Sequence, residues 1–297
     1  MNKPKTNKVN VFVVGAPKAG TTTLFDILAQ SKDIILPVAK EPNYFCTDYH
    51  ERWELYKKTD AKEIKKFPKS YKPGLYHSAR TYDLQKYEKM FFSDSDKYTL
   101  IDFSTTYLSS TTAPKLIFNY NPNAKIIMML RDPLARAWSH YCMDLAIGYH
   151  KKKFIDCLKE EQFAIDNNKD YPYSYIRDSN YFKSFQLYSS IFEKKNILLV
   201  DFDKFIKNQK FEVQNISNFI GIHSFKYKLV KNTNSSRAMR FENLRWIYTY
   251  LLRSIINKIS LSKRIKVIGK NIIFKNTHFP KPDDKITKKF FEKCKIM

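Results

Sequence analysis

The chain has 297 residues, 43% of them hydrophobic, enough to bury a sizeable core. That composition excludes wholesale disorder, a collagen-like chain and a multi-span membrane protein. Basic residues outnumber acidic ones 53 to 29, a net charge of +24 that favours anionic partners: nucleic acid, phosphorylated or sulfated ligands, or an acidic membrane face. Only 10 of the 53 are Arg, and Asn and Ile are also plentiful, so part of the charge is compositional background.

The first residues hold a short basic start and one apolar run, too short for a signal-peptide core or a membrane span. Cys46, Cys142, Cys157 and Cys294 form no C-x-x-C pair, and no His/Cys cluster has zinc spacing. Free thiols in a reducing, cytoplasmic compartment are expected, with at most peripheral membrane contact.

In chain order, five apolar runs read as buried strands: residues 11–14, 34–36, 99–103, 126–130 and 197–200. Helical spacing lies between them. Residues 22–30 carry Leu24, Ile27 and Leu28, and 134–147 carry Ala137, Tyr141 and Leu145. Residues 181–192 carry Phe185, Tyr188 and Phe192, and 211–220 carry Val213, Ile216 and Phe219. Strands alternating with helices predict an α/β fold with a central parallel sheet flanked by helices. Residues 48–92 are rich in Lys, Tyr and Phe and show no clear strand. From Leu251 onward 13 Lys/Arg face 3 Asp/Glu. Both stretches read as elaborations of one domain over 9–297, with its core at 9–240 and a basic helical elaboration at 241–297.

The most informative stretch follows the first strand. Gly15-Ala-Pro-Lys18-Ala19-Gly20-Thr21-Thr22-Thr23 is a glycine-bounded loop opening a helix. Backbone N–H groups in such a loop, with a helix N-terminus behind them, bind anions, and the threonines add hydroxyl donors. Gly15 and Gly20 keep the glycine spacing of the nucleotide triphosphatase loop, so the domain is P-loop-like. Thr21 stands where that loop has its lysine, and the cation here is Lys18 instead.

A second strand–helix junction is Leu130-Arg131-Asp132-Pro133, with Arg136, Ser139 and Tyr141 beyond it. Asp132 suits an N-cap and Pro133 the first helical position. Arg131 then ends a strand, where open α/β sheets bind ligands, and Ser139 lies on the second helical turn. Alone, Arg131 reads as a ligand for a second phosphate or as half of a buried arginine–carboxylate pair.

Together the two segments resemble the sulfotransferase family that uses 3′-phosphoadenosine 5′-phosphosulfate. Pro17 to Thr22 is similar to its PKxGTT loop, and Arg131 to Tyr141 to its RxPxxRxxSxY motif. The bacterial and Golgi carbohydrate-sulfating branch is the nearest in flavour. Lys40-Glu-Pro-Asn-Tyr-Phe45 resembles its KEPxYF segment, Ile101 to Tyr107 its GExSPxYL segment, and Asn196 to Phe205 its xILVLxYEDL strand. The resemblance runs from about residue 9 to about residue 240.

It implies that Lys18 contacts the sulfonate and the bridging oxygen, and that Ala19, Gly20, Thr21, Thr22 and Thr23 hold the 5′-phosphate. It implies Arg131 and Ser139 for the 3′-phosphate, with Arg237, after Asn232-Thr-Asn-Ser-Ser, in a C-terminal cofactor loop. Glu41 stands at the catalytic base, and Asp102 is the reserve. Phe103 replaces a second lysine that some eukaryotic glycan members carry after the acidic residue. None of the six histidines has the strand context of the cytosolic branch's base, so His50, His77 and His140 read as surface or packing residues.

The expected activity is transfer of a sulfonate from 3′-phosphoadenosine 5′-phosphosulfate, without a metal, to a hydroxyl or amine on a glycan or glycolipid. A P-loop kinase with Mg²⁺ at Asp102 is the alternative enzyme, and the Thr21 position argues against it. A nucleic-acid binder finds charge but no motif. Residues 241–259 read as a core helix or, beside the polybasic tail, as an interfacial helix on a membrane.

Overall fold

In chain order the strands are β1 (Val11–Gly15), β2 (Ile34–Ile35), β3 (Ala39–Glu41), β4 (Lys62–Glu63), β5 (Tyr76–Arg80), β6 (Thr99–Asp102), β7 (Lys125–Leu130), β8 (Ile197–Asp201), β9 (Arg237–Met239) and β10 (Phe274–Asn276). The helices are α1 (Thr21–Leu28), α2 (Leu84–Lys89), α3 (Ala113–Tyr120), α4 (Pro133–Ala146), α5 (Phe154–Asp166), α6 (Tyr181–Ser189), α7 (Phe202–Lys207) and α8 (Gln209–Ile220). This computed structural model describes residues 8–50, 62–63, 70–92, 97–146, 149–222, 225–230, 237–239, 274–276 and 287. The helix expected over 241–259 and the segment 232–236 lie outside the described residues.

The five apolar runs of the sequence become one five-stranded sheet in the order β2-β6-β1-β7-β8. Every pairing in it is parallel. β1 is central and buried along its whole length. A strand covered on both faces carries a continuous apolar run, which is why Val-Phe-Val-Val shows no alternation.

Helices flank this sheet. α1 buries Leu24, Ile27 and Leu28, as its spacing predicts. α8 buries Val213, Ile216, Ser217 and Ile220, one stripe at helical spacing, and Gly221 ends it in the left-handed region at φ +82°.

The strand order fixes where a ligand can sit. After β1 the chain crosses toward β2, and after β7 it crosses toward β8. The connections leaving these two neighbours run in opposite directions. Their carboxyl ends therefore form the switch-point crevice in which open α/β sheets bind ligands.

A second sheet corrects the reading of residues 48–92. β3, β5 and β4 pair in parallel in that order, with Glu41 opposite Ser78. β5 is Tyr-His-Ser-Ala-Arg, and both Tyr76 and His77 are exposed. It has no apolar run to announce it.

The chain divides into two compact units, one of Met1–Pro133 and Arg177–Lys231, the other of Leu134–Ile176 and Asn232–Lys295. The first holds both parallel sheets. Within the second, Arg136 is fully buried and donates through Nη2 to the carbonyls of Tyr175 (2.6 Å) and Ser174 (3.2 Å). Buried Glu161 accepts from the N–H groups of Tyr175 and Ile176, and Asp144 accepts from the Tyr175 hydroxyl. Burying these charges costs heavily unless each is bonded, and the bonds pin the segment around residue 175. Cys46, Cys142 and Cys157 are buried free thiols. Among the described residues no helix is long and apolar enough to cross a membrane.

Gly15 closes β1 at φ +148°, and a Cβ there would stand 2.8 Å from Leu108 Cβ and 2.8 Å from the Thr105 carbonyl oxygen. Both the backbone angle and the space require glycine. Gly15→Ala is expected to lower unfolding free energy by about 2–4 kcal/mol, read as a lower urea midpoint at unchanged m-value.

Candidate active site

The loop after β1 is stitched to β7. Ala16 N–H donates to the Met129 carbonyl (2.7 Å), and Ala19 N–H donates back to Ala16 (3.2 Å). Lys18 takes φ +70° and Gly20 φ +83°, so the loop turns sharply into α1. The first i→i−4 bond of that helix runs from Leu24 N–H to the Gly20 carbonyl (3.1 Å). The N–H groups of Thr21, Thr22 and Thr23 therefore have no intrahelical acceptor, and no side chain caps the helix. With the positive end of the helix dipole behind them, these donors have the arrangement that suits an anion. Ala19, Thr21 and Thr23 are buried, whereas Lys18 and Thr22 are half-buried.

Arg131 follows β7 at the neighbouring strand end. Its Nη1 donates to the Lys18 carbonyl (3.2 Å), so the arginine and the loop touch directly. Its guanidinium also lies over the Phe202 ring, 4.7 Å from the centroid. α4 begins at Pro133, as read from the sequence, and carries half-buried Ser139 on its second turn.

The two candidate carboxylates have opposite surroundings. Glu41 ends β3 with its side chain 15% exposed, Oε1 lying 3.3 Å from Lys40 Nζ and Oε2 accepting from the Thr105 hydroxyl (3.3 Å). Thr105 is the residue whose carbonyl abuts Gly15, so Glu41 stands one residue away from the head of the phosphate loop. Asp102 is fully buried, paired in register with Phe12 inside the sheet. Three hydroxyls donate to it: Ser104 (2.7 Å), Tyr87 (2.9 Å) and Tyr107 (3.0 Å). Burial pushes its carboxyl up from 3.8 to about 6, a rise that those hydroxyl bonds partly offset.

The segment between them is a knot that the sequence motif only hinted at. Asn43, at φ +53°, donates from Nδ2 to the Glu41 carbonyl (2.9 Å) and Ser78 Oγ (2.9 Å), and accepts from Thr106 Oγ1 (2.7 Å). Its own N–H donates to Ser104 Oγ (2.8 Å). Asn43 thus ties Glu41, the second sheet and the Asp102 cluster together.

A family model described as the sulfotransferase family matches residues 10–226, most of the chain. The chain belongs to the sulfotransferase family. It is 25% identical over 215 residues to heparan sulfate glucosamine 3-O-sulfotransferase 5 of Mus musculus, covering 71% of this chain and 52% of that protein. The Homo sapiens protein of the same name gives the same figures. The chain spans about half the length of these curated relatives. A crystal structure of a sulfotransferase from Alicyclobacillus acidocaldarius shares the fold, with TM-score 0.60 at 22% identity over 79% of this chain and 87% of the other.

In this sulfotransferase-family chain the remaining motif residues have distinct placements. Arg136, the second arginine of its motif, is a buried structural cation. Arg237 opens β9, opposite Asn276 of β10 in the second unit. His50 is buried and bonded through Nε2 to the Asn43 carbonyl, His140 is bonded to Arg136 (3.3 Å), and His77 is exposed. Phe202, Thr105 and Lys40 touch the site without having been singled out. Lys40 was legible only as the first residue of the segment 40–45.

The raised carboxyl of Asp102 has a stability consequence with a definite sign. Folding favours its protonated form, so its contribution is fully present below 3.8 and lost as pH rises through about 6. Unfolding of wild type and Asp102→Asn is to be compared across that window. Wild type should gain on the variant by roughly 2 kcal/mol between pH 7.5 and pH 4. A pH-independent difference would mean that the buried carboxyl titrates normally.

Proposed function

We propose that the protein transfers a sulfonate group from 3′-phosphoadenosine 5′-phosphosulfate to a hydroxyl or amine of a carbohydrate or glycolipid acceptor. The observation that carries this reading is the direct contact between a phosphate loop and Arg131 at one switch point. A loop with three N–H groups aimed out of a helix start, beside an arginine, suits a ligand with two separate anionic groups. The donor, when bound, supplies the sulfonate. Family membership and a heparan sulfate sulfotransferase relative support both the donor and a glycan acceptor.

The roles of this chain's own residues follow from their chemistry. The N–H groups and hydroxyls of Thr21, Thr22 and Thr23 bind the 5′-phosphate group, with Gly20 keeping the backbone close. Lys18 places a positive charge on the loop, where negative charge grows on the departing oxygen. The family resemblance assigns Arg131 and Ser139 to the 3′-phosphate and Arg237 to the donor's C-terminal loop. Glu41 takes the proton of the attacking hydroxyl or amine, because it is partly exposed and beside the loop. Asp102 is the poorer base: it has no exposure and already accepts three hydroxyl bonds. Its role is to hold Ser104, and through it Asn43, in place.

Calorimetric titration tests the donor. Adenosine 3′,5′-bisphosphate is expected to bind at least about tenfold tighter than ATP with Mg²⁺. ATP binding with no preference for a 3′-phosphate would replace this reading with a kinase. Turnover is then measured on a panel of glycan acceptors. Lys18→Ala should lower kcat by about 10²–10³. Glu41→Gln should lower it by about 10²–10⁴ while bisphosphate affinity stays at the wild-type value. Full turnover in Glu41→Gln would move the base elsewhere.

A further inference from the structure

Phe202 sits beside Arg131 because of strand register. Leu130 of β7 is paired with Asp201 of β8, so the next residues, Arg131 and Phe202, leave neighbouring strand ends side by side. Asp201 caps α7, its carboxylate accepting from Lys204 N–H (2.8 Å), which fixes where the first residue of that helix points. The ring is 9% exposed, so it stands at a wall and not in solvent.

Two parts of the site rest on this one ring. The Arg131 guanidinium lies over it at 4.7 Å. A Cβ at Gly20 would approach Phe202 Cδ2 and Cε2 to 3.0 Å, so the loop backbone packs against it as well. Stacking engages the face of a guanidinium and leaves its in-plane N–H groups to make hydrogen bonds, one of which goes to the Lys18 carbonyl.

We propose that Phe202 is a positioning residue that holds the Arg131 guanidinium for the nucleotide's 3′-phosphate and ties it to the phosphate loop. The proposal rests on the donor reading above. The ring makes no hydrogen bond of its own. It sets the plane in which Arg131 presents its donors, and it limits how closely Gly20 can approach it.

The test compares two ligands that differ only in the 3′-phosphate, adenosine 3′,5′-bisphosphate and adenosine 5′-phosphate, by calorimetry with displacement for the weaker one. Phe202→Met, which keeps volume but removes the π face, should weaken the bisphosphate about tenfold and the monophosphate less than about twofold. Phe202→Tyr should restore the bisphosphate to within about twofold of wild type. In an Arg131→Ala background, Phe202→Met should cost nothing further, because the ring acts through the arginine. Equal losses for both ligands would overturn the proposal and make the ring a contact of the shared nucleoside or of the loop. Full bisphosphate affinity in Phe202→Met would overturn it outright. If Phe202→Met unfolds, the Phe202→Tyr ratio and the melting temperature decide: a stable Tyr variant that loses 3′-phosphate discrimination also sinks it. A wild-type protein that does not prefer the bisphosphate to the monophosphate fails the donor reading itself, a separate outcome.

Discussion

The hydrogen bond from Ala16 N–H to the Met129 carbonyl, 2.7 Å long, is the joint on which the site depends. It extends the β1–β7 pairing past the end of β1 and ties the glycine-bounded loop to the strand that delivers Arg131. Because the chain leaves β1 and β7 in opposite directions, no crossover covers the space above this joint. The loop's backbone donors and the arginine open onto the same space. An ordinary strand–helix turn with the same glycines but without this joint would offer an anion cradle and no second cation.

Burial sorts the two carboxylates. Asp102 faces the sheet interior and is held by Ser104, Tyr87 and Tyr107, so its negative charge serves as an acceptor that organises hydroxyls. Glu41 stands at the end of a short strand in a second sheet, with a lysine on one oxygen and a threonine on the other. The two are linked through Asn43, which bonds the Glu41 carbonyl and, by its own N–H, Ser104. A fully buried acid thus anchors a partly exposed one. The division leaves one carboxylate fixed inside the sheet and the other partly open to solvent.

The central sheet was legible because its inner strands are covered on both faces, and continuous apolar runs such as residues 126–130 announce that. The second sheet was not, because β5, Tyr-His-Ser-Ala-Arg, is mostly polar and has its first two residues exposed. α3 and α5 also went unread. Pro114 in the first turn of α3 reads as a breaker unless the helix start is known, and α5 hides its apolar stripe among Asp, Lys and Glu. In the site, Gly15, Lys18, Gly20 and Arg131 were visible as a pattern of spacing. Thr105 and Phe202 were not, since Phe202 reaches Arg131 through the β7–β8 register and Thr105 reaches Glu41 and Gly15 across the fold, and neither contact shows in a local window.

The charge of the chain carries a last distinction. Its basic residues are overwhelmingly Lys, yet the junction after β7 keeps two of the 10 arginines within six residues. Both positions use geometry that an ammonium cannot supply. Arg136, fully buried, bonds two backbone carbonyls from Nη2 and His140 from Nη1, and Arg131 places its guanidinium over a ring while bonding a carbonyl. Lys18 and Lys40, by contrast, stand where a compact point charge suffices, one on a loop and one against a carboxylate. At these two positions the contacts come from a fork with more than one nitrogen, and not from the charge alone. On that argument Arg131→Lys would keep the charge of the site and lose its direction.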